Sequence, residues 1–248
     1  MLRAKTSFDR DNARYLVDLS KLAYSSESNI KSYLNKYHID FVENAETDTQ
    51  CFIVTDDKNL IIIFRGSSNL DDWITNFKID KVRHSFTQHE GFYEAYQSVQ
   101  SAIFNTASKN KTKNIFIAGH SLGGALASLC AVDLHMLLDT PVTSCYTFGS
   151  PRVYDAVSAS NINDIMGDRI HRVVNNNDIV THMPSEKLNF SHIGELAYFE
   201  ENGTLHVNED FTWWQKKRYA LVGRLDDLFE PGTDGVKDHL ISEYDDYV

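Results

Sequence analysis

The sequence predicts an α/β fold, with one mixed and mostly parallel central sheet covered by helices on both faces. Two observations carry this. Short β-branched runs alternate along the chain with segments of helical period, which is how strands joined by crossover helices read. One of those runs also leads through closely spaced glycines straight into a long helical stretch. The 248 residues form one predicted domain, 1–248, without an internal repeat or a linker-like stretch.

In chain order, apolar positions near helical spacing over Asp11 to Tyr24 predict an amphipathic helix. Cys51-Phe-Ile-Val54 and Leu60-Ile-Ile-Ile-Phe64, separated by the turn at Asp56-Asp-Lys-Asn59, predict a hairpin followed by a buried strand. Phe92, Ala95, Tyr96, Val99 and Ile103 mark one face of a second helix. Ile115-Phe-Ile-Ala118 reads as a strand, and Leu122 to Leu138 as a helix of small residues and leucines. Ser144 to Phe148 and Arg169 to Val174 read as further strands. Gly194 to Val207 predicts a late hairpin turning at Glu201-Asn-Gly203, and Trp213-Trp214 marks a last helix.

Bulk properties exclude several function classes. With 42% hydrophobic and 24% charged residues the composition is that of an ordinary globular protein. A formal net charge of -11 leaves little to neutralise phosphates, so no nucleic-acid partner is expected. It also argues against strong adsorption to anionic membranes, while neutral lipid surfaces stay open. The opening MLRAKTSFDRDNARYL lacks an apolar core of signal-peptide length, and no apolar run is long enough to span a bilayer. The expectation is a soluble chain, cytoplasmic or secreted, with no stable membrane insertion. Cys51, Cys130 and Cys145 read as small buried hydrophobes rather than a disulfide framework.

The chemistry concentrates in Gly119-x-Ser121-x-Gly123, directly after a predicted strand and directly before a predicted helix. A turn that sharp strains the central residue and excludes side chains two positions away, hence the glycines. It lifts Ser121 clear of the sheet and seats it at a helix N-terminus, which favours developing negative charge. A serine nucleophile needs a histidine base, itself oriented by a carboxylate. Among the acids downstream, Asp155, Asp164, Asp168 and Asp178, the last is best placed, in the polar loop Asn175-Asn-Asn-Asp178 just past a strand. Spacing leaves His182, His192, His206 and His239 open as the base.

Several blocks in order resemble the class 3 lipase family, an α/β-hydrolase family of fungal triacylglycerol lipases that also holds feruloyl esterases and plant phospholipases A1. They are Ile61-Ile-Ile-Phe-Arg-Gly-Ser-Ser-Asn-Leu-Asp-Asp-Trp73, His89-Glu-Gly-Phe92, Gly-His-Ser-Leu-Gly-Gly-Ala125, Thr147-Phe-Gly-Ser-Pro-Arg-Val153 and Asn177-Asp-Ile-Val180. The resemblance implies an α/β-hydrolase fold and a serine carboxylic-ester hydrolase. Lipase action on acylglycerols is expected first, phospholipase A1 or small-ester chemistry second, and a catalytically inactive lipid-binding module a distant third. It implies Ser121, Asp178 and His239 as the catalytic set, with His239 in the family-like context Asp238-His239-Leu-Ile-Ser-Glu-Tyr244. It further implies an oxyanion hole from Ser67 and from the backbone N–H of Leu122, and no cofactor or metal. The expected partner is a lipid or other ester substrate, with transient contact at lipid interfaces.

The family's lid corresponds to Trp73 through Gln88, where Trp73, Ile74 and Phe77 are the leading lipid-facing candidates. Lys78, Asp80, Lys81, Arg83 and His84 make this segment heavily charged, which predicts weak interfacial activation. The cysteine pattern also departs from the disulfide-bonded fungal enzymes.

Overall fold

The computed structural model describes residues 2–69, 78–138, 141–208 and 234–247. Helix α1 (Arg10–Leu22) opens the chain, with the Asp9 carboxylate accepting from Asn12 N–H as its cap. A short helix α2 (Glu27–Tyr33) follows, then strands β1 (His38–Asn44), β2 (Thr49–Thr55) and β3 (Asn59–Phe64). These three run antiparallel in succession. The β2–β3 turn is tied by Asp56 Oδ1, which accepts from the N–H groups of Lys58 and Asn59 at 2.7 Å each. That is the local bonding which makes aspartate a turn former.

From β3 the sheet becomes parallel. Strands β6 (Asn114–His120), β7 (Val142–Phe148), β9 (Ile170–Asn175) and β11 (Glu195–Phe199) line up beside it, all parallel, and β12 (Leu205–Val207) closes the edge antiparallel to β11. Helices α3 (Glu90–Lys109) and α4 (Leu122–Leu137) connect the strands on one side. Alternation along β3 sorts the core into two layers. Leu60, Ile62 and Phe64 pack with α3 and α4, whereas Ile61 and Ile63 pack with α1. The sheet is therefore covered on both faces, as the sequence predicts, and β3 and β6 carry continuous apolar runs for that reason.

A second, small sheet was not predicted. It joins β4 (Lys81–Arg83), β5 (Thr87–His89), β8 (Tyr154–Asp155) and β10 (Phe190–Ser191) in the order β10-β8-β5-β4. Helix α5 (Ala156–Met166) follows β8, and the described C-terminal residues form α6 (Asp234–Asp238) and α7 (Ile241–Tyr247). The predicted Trp213-Trp214 helix lies outside the described residues, as do the lid candidates Trp73, Ile74 and Phe77. The later part of the lid segment is not a detached loop. Val82 pairs with Gln88 in a β4–β5 hairpin, and the Phe86 ring meets Tyr154 edge-on at 6.2 Å.

No helix among the described residues is long and apolar enough to cross a membrane. Cys51, Cys130 and Cys145 are all free and buried, packed in the layer under α3 and α4.

Candidate active site

The parallel strands deliver their ends to one edge of the sheet, and the candidate residues are there. Register pairs Phe64 with Gly119 and His120 with Phe148, so the segments after β3, β6 and β7 leave the sheet side by side. Open α/β sheets form their sites at this carboxyl edge.

Ser121 holds φ 58° and ψ -128°, a strained conformation for a residue with a side chain. Its N–H donates to Phe148 O at 2.9 Å, pinning the turn to the end of β7. The neighbouring glycine is obligatory. A Cβ on Gly123 would sit 2.4 Å from Phe64 O, so α4 reaches the sheet only without one. Ser121 Oγ is buried and has no hydrogen-bond partner among the described residues.

Asp178 is wholly buried just past β9, capping the turn Ile179–His182 with Oδ1 accepting from Val180 N–H at 2.9 Å. His239 follows α6, and its Nδ1 lies 2.9 Å from both Asp178 oxygens. The Tyr244 hydroxyl donates to Asp178 Oδ2. Burial alone would raise the Asp178 pKa, but the His239 charge and the hydrogen bonds from His239 and Tyr244 outweigh it. The carboxyl is held below its ordinary value. With Nδ1 facing the carboxylate, His239 Nε2 is the free ring nitrogen, buried and unpartnered among the described residues. His239 is linked to the elbow through His120, the residue before Ser121, whose ring stacks on His239 with centroids 4.6 Å apart.

Gly149, just after β7, makes room for this pair. Its φ is +59°, and a Cβ there would lie 2.5 Å from Asp178 Oδ2 and 2.9 Å from His239 Nδ1. Beside the nucleophile, the position of a Cβ on Gly66 is 3.3 Å from Ser121 Cβ, which brings the Ser67 loop alongside. The Ser67 hydroxyl is engaged in its own turn, donating to Asn69 O at 3.1 Å. Leu122 is the first residue of α4, where backbone N–H groups have no partner within the helix.

The other sequence candidates make other contacts. His192 Nε2 donates to Thr181 O at 2.7 Å, and His206 Nε2 meets Glu200 Oε1 at 3.1 Å across the late hairpin. Burial, then the charge of Arg152, pushes His182 down to about 4. Asp155 caps α5 by accepting from Ser158 N–H. Asp164 lies within α5 and Asp168 in the tight turn after it. Further contacts, to which the sequence assigned no role, come from Tyr244 and Asp238 of the family-like context around His239, from Asn175 of the polar loop and from His120 of the glycine motif. Asp238 Oδ2 accepts from Asn176 Nδ2 at 3.0 Å and Asn177 N–H at 3.1 Å, latching the His239 segment to the Asp178 loop. Among the described residues no cluster of side chains is suited to hold a metal ion.

Residues 61–188, which hold the elbow, the acid and the Ser67 loop, match the family model for class 3 lipases. The chain belongs to the class 3 lipase family. A lipase of Rhizomucor miehei is 31% identical over 223 residues, covering 81% of this chain and 61% of its own length. A secreted mono- and diacylglycerol lipase of Fusarium solani is 31% identical over 181 residues, covering 69% of this chain and 53% of its own. This class 3 lipase chain thus spans little more than half the length of these curated relatives. The solved Rhizomucor miehei triacylglyceride lipase superimposes with a TM-score of 0.74 at 26% identity, covering 93% of this chain and 92% of that one. A triacylglycerol lipase whose catalytic centre is described as a serine protease triad gives the same TM-score at 25% identity, covering 93% and 92%. The α/β-hydrolase fold expected from the sequence is the fold of this member of the class 3 lipase family.

Proposed function

We propose that this class 3 lipase hydrolyses carboxylic esters of acylglycerols through an acyl-enzyme. The observation that carries the proposal is the buried His239–Asp178 pair, stacked on the residue before Ser121, with His239 Nε2 and the Ser121 hydroxyl both buried and unpartnered among the described residues. Unpaired buried polar groups are costly, and they persist at sites where a reacting group will complete them. Catalytic hydrogen bonds often close only once substrate is bound.

In this reading Ser121 Oγ attacks the ester carbonyl carbon as His239 Nε2 takes the hydroxyl proton. The carbonyl π electrons move to oxygen, and the oxyanion is received by the backbone N–H groups of Ser67 and Leu122. Each such donor is typically worth about 3–4 kcal/mol. The Ser67 hydroxyl, spent in its turn, leaves the backbone as that loop's donor. Asp178 holds the Nδ1–H tautomer and supports the imidazolium. The imidazolium then protonates the departing alkoxide, leaving Ser121 acylated. Water, deprotonated by Nε2, attacks the acyl-enzyme, and the acid leaves as the serine is regenerated.

The relatives named as mono- and diacylglycerol lipase and triacylglyceride lipase support acylglycerols as substrate. Two secreted relatives support action outside the producing cell. Contact with lipid is transient and made at the interface. The test is labelling by a fluorophosphonate probe, followed by a panel of acylglycerols and simple esters of graded acyl length. Stoichiometric labelling of Ser121 with turnover of acylglycerols is expected. Labelling with turnover of phospholipids alone, or of short esters alone, would move the substrate class. No labelling at all would make the chain a binding module.

A further inference from the structure

We propose that His120 and Asn175 are positioning residues that hold the base by its backbone, gripping two consecutive carbonyls. The inference rests on the reading of His239 as the base. His120 Nε2 is 2.7 Å from His239 O, and Asn175 Nδ2 is 3.0 Å from Asp238 O. The two side chains are the last residues of β6 and β9, the strands that flank β7. Between them, at the end of β7, stands Gly149, whose missing side chain leaves the space that the His239 ring and the Asp178 carboxylate occupy. Three adjacent strand ends therefore offer a grip, a gap and a grip. The base's peptide is fixed to the same rigid sheet that carries the nucleophile.

The hydrogen-bond chemistry of the His120 grip is determined. A carbonyl only accepts, so Nε2 must carry the proton and donate. Nδ1 then accepts from the Tyr24 hydroxyl, 2.8 Å away. Burial, then the His239 charge, pushes His120 down to about 3, so the ring stays neutral at working pH. Burial likewise raises Tyr24, so its hydroxyl keeps the proton that it donates. Tyr24 thus locks the tautomer that His120 needs. At Asn175 the amide nitrogen is used while Oδ1 has no partner among the described residues. A buried amide with one end unsatisfied is a net cost unless its donor end serves a purpose.

These contacts matter because a misplacement of the base by about 1 Å costs on the order of a hundredfold in rate. Two tests separate positioning from mere docking. In the wild-type protein, nitrogen NMR of the histidine rings should find His120 neutral, with its proton on Nε2, unchanged from pH 5 to 9. A proton on Nδ1, or titration in that range, would overturn the grip without any variant being made. His120→Phe keeps a flat ring against His239 but removes the donor, and Asn175→Leu removes the other. Each should lower kcat on a soluble ester by about tenfold to a hundredfold with KM little changed. His120→Gln, which restores a donor near the Nε2 position, should recover most of the loss. Wild-type kcat in both folded donor-free variants would overturn the proposal. Wild-type protein that neither labels with fluorophosphonate nor turns over ester would instead sink the catalytic reading, with the NMR result still deciding the grip.

Discussion

The Tyr244 hydroxyl sits between Asp178 and Asn175, donating to Asp178 Oδ2 and accepting from Asn175 N–H at 3.2 Å. One phenol thus completes the acid and satisfies the last residue of β9. Tyr244→Phe leaves a buried N–H without an acceptor and a buried carboxylate with one donor fewer. We expect a loss of about 1–3 kcal/mol in urea unfolding. We also expect a kcat reduced by about tenfold, because the acid is less firmly oriented. Unchanged stability with unchanged kcat would remove Tyr244 from the site.

Ser121 gives the opposite balance. Its hydroxyl is buried without a partner among the described residues, so Ser121→Ala deletes an unsatisfied group. Turnover should fall by about 10⁴-fold or more, while the unfolding midpoint stays level or rises, by up to about 1 kcal/mol. His239→Ala should be comparably inactive, and the double variant scarcely worse, because the members act as a unit. A folded Ser121→Ala protein retaining a tenth of its turnover would show that another residue is the nucleophile.

Gly149→Ala tests the space under the base. An alanine must adopt φ near +59°, and its Cβ would stand 2.5 Å from Asp178 Oδ2. Backbone strain of about 1–2 kcal/mol is the smaller part, since the acid or the base must also move. Loss of stability together with at least an approximately hundredfold loss of kcat is expected. A stable variant with wild-type turnover would mean that the strand end is more pliant than this geometry allows.

Acid should unfold the protein from well above the carboxylate range. Burial lowers His120 to about 3 and His171 and His182 to about 4, against an ordinary 6.5. The folded chain keeps these rings neutral, whereas the unfolded chain takes up protons below about pH 6.5. Their contribution is complete above that pH and shrinks as pH falls toward the folded values. Each removes up to about 1.4 kcal/mol per pH unit across that window. Asp178, lowered below 3.8, adds its own loss only below that value. Urea midpoints measured from pH 8 to pH 4 should fall steeply below pH 6.5. A flat profile down to pH 4.5 would contradict the buried neutral histidines.

The middle of the central sheet was legible because β3 and β6, buried on both faces, carry unbroken apolar runs. Edge strand β1 was not, since His-Ile-Asp-Phe-Val-Glu-Asn is half-exposed and carries no such run. The small sheet escaped because its strands are two or three residues long, too short for any period to show. Helix α5 was missed for a related reason, with Val157 and Ile165 exposed and serines and asparagines along its length. Within the site, the elbow was visible from its glycines alone. Which histidine meets Asp178 depends on how a distant C-terminal segment docks, and spacing does not encode that. His120 stood in the motif as an unspecified residue, and only its contacts with Tyr24 and His239 give it a part to play. Tyr244 stood in the family-like context around His239, but its bond to Asp178, 66 residues away, is beyond the reach of any local pattern.

The latch between Asp238 and the Asn176–Asn177 loop has a consequence for the order in which the protein becomes active. The proposed nucleophile and acid emerge from the ribosome well before the proposed base, since Ser121 and Asp178 precede His239 in the chain and domains take shape from the N-terminal side during synthesis. Until residues 234–247 emerge and engage the asparagines, the growing chain carries an elbow and a carboxylate with no imidazole to join them. On the reading of His239 as the base, the three proposed catalytic groups come together only once that segment has docked.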